Sequence, residues 1–459
     1  MNDDLTAKLA SFAVRFRSAE LTGAEMRQMS LLVADHLAAS FAGATTATAK
    51  AARSWSLDSA AGGGAYIVGS SLTRTPAAAA FANAAAAHAA ELDDTHEATL
   101  THPGAVVIAA TLAAASKEAD RDADVFGAIA AGYEVMTRIA AATDAALVAR
   151  AGFHPTSLFG GFGAAASVAH LRKLSAAELC AAWGIALSRA GGSMQFADEP
   201  RGGEIKPLHA AFAAESGVIA VELVTRGVEA PLRALDGRYG LANIFGRGLS
   251  VEAIAPCRPY AIATVALKLY PSCRMLHPAV EAVLDCLGKR PPAAIRAITI
   301  SGPRKLVEQH MMRNPLTPSA ARYSLPCTIA AAIRYGPESL WPFDHIAEAA
   351  PVLEPLASRV SATIDPELDR VFPRQIGSKA VVSFEDGTVT SALVRNARGS
   401  PQLPLTSDDV FRKLGRCAAL LPLELDRVHR IAEAVRDLAV TPDTRPLQGL
   451  LRAAHAGGS

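Results

Sequence analysis

The sequence predicts a mainly α fold in which a large all-helical domain precedes a smaller α+β domain. Three observations predict it. Apolar residues recur at helical spacing from the start to about residue 265, in a chain that is 50% hydrophobic and unusually rich in alanine. The pattern then changes to short β-branched runs, and after residue 404 it returns to helix.

The elements follow in order. Thr22-Gly-Ala-Glu25 has the form of a capping box, in which the two side chains satisfy helix-end amides reciprocally, and Met26, Met29, Val33, Leu37 and Ser40 follow on one face. Ser175-Ala-Ala-Glu178 repeats the signal before Leu179, Trp183 and Leu187. Past Cys257-Arg-Pro-Tyr260, Ala297-Ile-Thr-Ile-Ser301 and Val360-Ser-Ala-Thr-Ile364 predict strands, with helices over Pro278 to Leu287 and Ser324 to Arg334. Two further strands, from Lys379 to Phe384 and from Thr388 to Leu393, flank Glu385-Asp386-Gly387, a hairpin turn. Thr406-Ser-Asp-Asp409 caps a last helical stretch running to the end. The expected division is therefore residues 1–265, completed by 405–459, and residues 266–404.

Composition narrows the function. The 459 residues suffice for two cores, and 45 Lys+Arg against 44 Asp+Glu give no electrostatic case for nucleic acid or an anionic membrane. Six cysteines without a CxxC pair suggest neither a disulfide framework nor a zinc knuckle, and point to a cytoplasmic protein. The N-terminus lacks a basic region and a long apolar run, so neither a signal peptide nor a membrane segment is expected. An alanine-rich helical domain tends to leave an apolar face, and a homodimer is expected.

The segment from His88 to Gly104 carries most of the chemistry. It sets His88, His96 and His102 among Glu91, Asp93, Asp94 and Glu97, between two alanine-rich runs. Charged groups flanked by core helices must be paired or used, because burying one bare costs several kcal/mol. Asp93 or Asp94 can instead cap the following turn, and His88 and His96 read as structural. Gly161-Phe-Gly-Ala-Ala-Ala166 meets a dinucleotide-binding pattern, but follows no strand, so it reads as a tight helix contact. No HExxH, P-loop or Gly-x-Ser-x-Gly pattern occurs, and neither cofactor nor metal is expected.

Other polar islands are Gly152 to Ser157, Gly203 to His209, Lys268 to His277 and Arg322 to Cys327. They supply imidazoles, lysines and an arginine, a set suited to proton chemistry on a small polycarboxylate. In order, Asp93-Asp-Thr95, His102-Pro-Gly104, Gly152-Phe-His-Pro-Thr156, Lys206-Pro-Leu-His-Ala210, Lys268-Leu-Tyr-Pro-Ser-Cys-Arg274 and Tyr323-Ser-Leu-Pro326 resemble the MmgE/PrpD family across nearly the whole chain. The family includes 2-methylcitrate dehydratase, cis-aconitate decarboxylase and iminodisuccinate epimerase. The resemblance implies a cofactor-free homodimeric enzyme with its site between two domains, and assigns Thr95, His102, His154, Lys206 and Lys268 to that site. Three departures separate this chain from the decarboxylases: Glu91 stands for their aspartate, Cys273 for a histidine and Cys327 for a tyrosine. A dehydratase-like lyase is the leading expectation, an epimerase-like isomerase the alternative, and a decarboxylase or a non-catalytic binding protein comes last.

Roles follow from the side chains. Removing a proton next to a carboxylate needs a base near neutrality and cations for the developing charge. His102 is the expected base and His154 the acid for a departing hydroxyl. Lys206 is the alternative base, if neighbouring cations depress a lysine. Glu91, Asp94, Thr95, Lys268, Arg274 and His277 are the expected substrate contacts, with Arg274 gripping a carboxylate through its paired donors. Cys273 and Cys327 read as small buried residues, and His209 shares a helix face with Lys206.

Overall fold

The computed structural model describes residues 4–59, 61–115, 123–199, 202–246, 248–255, 257–337 and 339–453. Residues 1–3, on which the expectation of no signal peptide partly rests, and 454–459, the expected end of the last helix, lie outside the described residues.

The helical part begins with α1 (Leu5–Arg15), α2 (Gly23–Gly43) and α3 (Ala47–Asp58), followed by strands β1 (Ala61–Tyr66) and β2 (Thr73–Arg74). Then come α4 (Pro76–Ala89), α5 (Pro103–Ala115), α6 (Val125–Ala142), α7 (Ala145–Arg150), α8 (Pro155–Leu171), α9 (Ala176–Leu187) and α10 (Lys206–Val224). Two short helices, α11 (Leu241–Phe245) and α12 (Val251–Ile254), close this part. Both expected capping boxes are present, at Thr22 with Glu25 and at Ser175 with Glu178. The antiparallel β1–β2 pair corrects the expectation of an all-helical first part. Its first strand contains Gly62-Gly-Gly64, all at positive φ, and such a run lacks the β-branched residues that advertise a strand.

Small residues set the helix spacing. Around α8, a Cβ on Gly160 would stand 2.8 Å from Ala213 Cβ, and one on Gly163 would stand 2.8 Å from both Gly132 O and Met136 Cβ. A Cβ on Gly217 would meet Ala164 Cβ at 2.4 Å. The Gly-x-Gly stretch is therefore the surface on which α8 crosses α6 and α10 in near-backbone contact. Val125–Ala142 and Gly203–Val224 have the length and hydropathy of membrane spans, but 94% and 67% of those windows are buried against neighbouring helices.

The α+β part contains α13 (His277–Leu287), β3 (Ile295–Gly302), α14 (Arg304–Gln309), α15 (Pro318–Tyr323), α16 (Leu325–Tyr335), α17 (Ile346–Ala357) and β4 (Val360–Ile364). It ends with α18 (Pro366–Val371), β5 (Ser378–Phe384) and β6 (Val389–Val394). The sheet order is β4-β3-β5-β6, with β3 and β4 parallel and the other pairs antiparallel. A parallel neighbour needs a crossover, which α14 to α17 provide. Alternate residues such as Ile298, Ile300, Val382 and Phe384 pack with Leu276, Val283, Leu325 and Ile329 into a second core.

The chain ends in α19 (Ser407–Ala418), α20 (Leu425–Asp437) and α21 (Arg445–Ala453), and the Thr406–Asp409 capping box opens the first of these. Helix α19 packs on α2. Its buried Lys413 reaches Asp35 Oδ1 at 2.6 Å, the Leu92 carbonyl at 2.5 Å and the Lys268 carbonyl at 2.9 Å. One ammonium thus ties the last helices to two segments that build the site described next.

Candidate active site

Helix starts build this site. His102 precedes Pro103 at the start of α5, His154 precedes Pro155 at the start of α8, and Lys206 and His277 open α10 and α13 just before prolines. Proline suits the first helical turn because its missing N–H is unneeded there and its φ is already helical. The preceding residue is held at the partly positive end of the helix dipole, which favours anions and disfavours protonation of histidine.

Between α4 and α5 the chain turns through Glu91, whose φ of 53° lies in the left-handed region. Glycine is the usual occupant of such a position after a helix, and a glutamate there carries about 1 kcal/mol of strain. Thr95 then exchanges two backbone hydrogen bonds with Ala266, donating across 2.8 Å and accepting across 2.7 Å. This bridge docks the turn against the segment that carries Lys268.

His102 is held through one nitrogen of its ring. Its Nδ1 lies 2.8 Å from the Asp94 carbonyl, 3.2 Å from Thr95 Oγ1 and 3.3 Å from Asp93 Oδ2. A carbonyl only accepts, so the proton is on Nδ1 and Nε2 keeps its lone pair. Burial holds this imidazole well below the ordinary histidine range; Asp93 opposes that, and Lys206, Lys268 and His88 add to it. His154 Nδ1 meets His209 Nδ1 at 3.1 Å, and burial followed by His209 keeps it neutral as well. An imidazolium acid at His154 is therefore not what this environment favours; a neutral ring donates through Nε2 when His209 supplies the proton between the pair.

The two lysines share one carboxylate. Lys206 pairs with Glu91 Oε1, and Lys268 lies 2.9 Å from Glu91 Oε2 and 3.5 Å from Asp93 Oδ1. Burial alone would raise Glu91, but Lys206 and then Lys268 outweigh it and hold the carboxyl far below its usual range. At Lys268 burial works to lower the ammonium, yet Glu91 and Asp93 prevail and hold it above its ordinary value. Asp93 is also pulled down, against burial, by His88, Lys268 and His102.

A cleft of about 610 Å³, counting its mouth, opens above this group. Of the expected residues, Thr95, His102, His154 and Arg274 line it, together with Cys273. Glu91, Asp94, Lys206, Lys268 and His277 lie behind the wall. Asp94 takes the Gly104 N–H at 2.8 Å and the Tyr133 hydroxyl at 2.7 Å, and burial pushes its carboxyl up to about 7. His277 is sealed between the Ser272 carbonyl and Arg274 Nη1. Arg274 is largely occupied, with Nε on Glu97 at 2.6 Å and its terminal nitrogens on the carbonyls of Arg398 and Ala397 at 2.9 and 3.2 Å. Its paired donors join segments of the protein in this conformation rather than standing free for a carboxylate.

The sequence reading missed Phe196, Lys305, Gln309, His310 and Tyr323 on the cleft wall. Only Tyr323 lay in an island already recognised, and its ring stands 5.4 Å below the Lys206 ammonium. Ligand nitrogens of His88, His102 and His154 lie within 4.8 Å of one another, close enough for a metal ion to draw together. A larger groove of about 1880 Å³ lies near Thr46 and Trp341, but its Arg322 is already paired with Asp344, and no histidines converge there.

The chain belongs to the MmgE/PrpD family. Residues 7–253 match its N-terminal domain and residues 270–438 its C-terminal domain. It is 25% identical to the cis-aconitate decarboxylase-like protein oryM of Aspergillus oryzae, over 98% of this chain and 97% of that protein. It is 24% identical to cis-aconitate decarboxylase of Aspergillus terreus, over 97% of this chain and 96% of that enzyme, and 26% identical to the Homo sapiens cis-aconitate decarboxylase, over 98% and 95%.

Proposed function

We propose that this protein is a cofactor-independent lyase of the 2-methylcitrate dehydratase kind, acting on a small di- or tricarboxylate by removing a proton next to a carboxylate. The observation that carries the reading is the fixed tautomer of His102, which leaves an unprotonated Nε2 at the cleft beside a buried group of lysines. His102 Nε2 takes the proton from carbon, and the hydroxyl on the adjacent carbon leaves with the proton that His154 gives up. Water departs and a carbon–carbon double bond remains. The converging starts of α5, α8 and α10 and the field of Lys206 and Lys268 favour the negative charge that builds up on the carboxylate in the transition state.

Full-length similarity to decarboxylases supports a second reading, loss of carbon dioxide from an unsaturated tricarboxylate. Cys273 weighs against it, because burial raises its thiol, which makes a poor replacement for a histidine proton donor. A homodimer, a cytoplasmic location and the division at residues 265 and 404 belong to the same proposal; the packing of α19 on α2 supports the division.

The test is to incubate the purified protein in deuterated water with 2-methylcitrate, citrate, cis-aconitate and iminodisuccinate, following products by NMR. Elimination or its reverse supports the lyase, deuterium uptake without elimination marks an isomerase, and carbon dioxide release marks the decarboxylase. Inertness toward all four overturns the reading.

A further inference from the structure

Every buried cation of the site already has a carboxylate partner within the protein. Lys206 and Lys268 share Glu91, Arg274 holds Glu97, and Lys413 holds Asp35. Lys305 differs from them. It lies on the cleft wall, half-buried, on α14 of the α+β part. Among the described residues it has neither an ion-pair nor a hydrogen-bond partner. Gln309 lines the same wall one helical turn later, so an ammonium and an amide present one face to the cleft.

Two further observations bear on what belongs there. Burial pushes the Lys305 ammonium below its ordinary value; Cys273 opposes this and Arg150 at the end of α7 adds to it, and no carboxylate of the protein offsets the cost. His310 on the same wall donates Nδ1 to the Tyr323 carbonyl at 2.8 Å, which leaves its Nε2 as an acceptor and assigns no anion to it. The missing negative charge must come from solvent or from the ligand. A half-buried, desolvated ammonium gains most from a carboxylate that arrives with the substrate.

We propose that Lys305, assisted by Gln309, binds a substrate carboxylate remote from the carbon deprotonated by His102, and so makes the enzyme select a tricarboxylate over a dicarboxylate. The assignment rests on the lyase reading above and adds to it a specificity-determining contact from the α+β part. The substrate then spans the cleft, with its reacting end at the helical wall and its distal carboxylate at α14.

The test measures binding by calorimetry of two unreactive probes, propane-1,2,3-tricarboxylate and methylsuccinate, which lacks one terminal carboxylate of the first, to the full-length protein. Wild type is expected to bind the tricarboxylate more tightly. Lys305→Met should weaken the tricarboxylate at least tenfold while changing methylsuccinate less than twofold, and Lys305→Arg should recover most of the loss. Equal tricarboxylate affinity in wild type and Lys305→Met overturns the assignment, and so does an equal loss for both probes. If wild type binds neither acid, the lyase reading fails first and takes this assignment with it.

Discussion

His102 donates its Nδ1 proton to the backbone carbonyl of Asp94 across 2.8 Å. An eight-residue loop therefore sets the tautomer of the proposed base, and a main-chain acceptor cannot be lost by substituting a side chain. Replacing His102 by glutamine keeps a donor near that carbonyl but removes the lone pair. We expect kcat to fall about a hundredfold or more with KM little changed, and deuterium exchange at the substrate carbon to vanish. Exchange at the wild-type rate would place the base elsewhere, with Lys206 the next residue to test.

Arg274 gives a different expectation from that of a simple carboxylate clamp. Its guanidinium joins Glu97 to the carbonyls of residues 397 and 398, and it is 3% exposed. Arg274→Lys retains the charge but not the fork, leaving buried acceptors unmet at a cost of about 1–3 kcal/mol. A lowered Tm should therefore accompany any rise in KM. A raised KM at unchanged Tm would restore the clamp reading.

Glu91 is shared by two buried ammonium groups. Glu91→Gln leaves Lys206 without a carboxylate and Lys268 with Asp93 alone, and breaking a buried pair in this way costs about 3–5 kcal/mol. Chemical denaturation should register that loss. Full stability in Glu91→Gln would mean that water or Asp93 compensates.

Stability should fall on acidification between pH 6.5 and 4. Burial holds His36, His96, His209 and His310 down at about 4, whereas the unfolded chain takes up protons near 6.5. Groups depressed in this way leave stability intact above 6.5 and erode it as the unfolded state gains protons. Asp94, raised by burial to about 7, acts in the opposite sense, because the folded state holds its proton from pH 7 down to the ordinary carboxylate range. The four histidines outweigh the one aspartate, giving a slope of about 4 kcal/mol per pH unit, to which His102 and His154, lowered in the same way, add. Urea denaturation at pH 7, 6 and 5 measures it, and Asp94→Asn should steepen it. A flat profile would contradict the buried neutral histidines.

The proposed chemistry needs no metal, so activity should survive prolonged chelation and dialysis. Added zinc should instead inhibit reversibly, since the nitrogens of His88, His102 and His154 lie within reach of one ion. Activity lost on chelation and restored by a single metal would assign the trio a catalytic ion.

The sequence by itself determined the features that depend on neighbours a few residues apart. The capping boxes at Thr22, Ser175 and Thr406 and the hairpin at Asp386-Gly387 were legible because each is a local hydrogen-bonding preference. The β1–β2 pair was not, because its glycines carry no strand preference. Only the tertiary structure decided the electrostatics. Glu91 meets Lys206 and Lys268 across 115 and 177 residues of chain, and with Asp93 it holds Lys268 above its ordinary value against burial. Which cations are spent within the protein, as Arg274 is, and which face the cleft unpaired, as Lys305 does, depends on a Coulomb interaction between groups that folding brings together. Spacing along the chain carries no record of that distance.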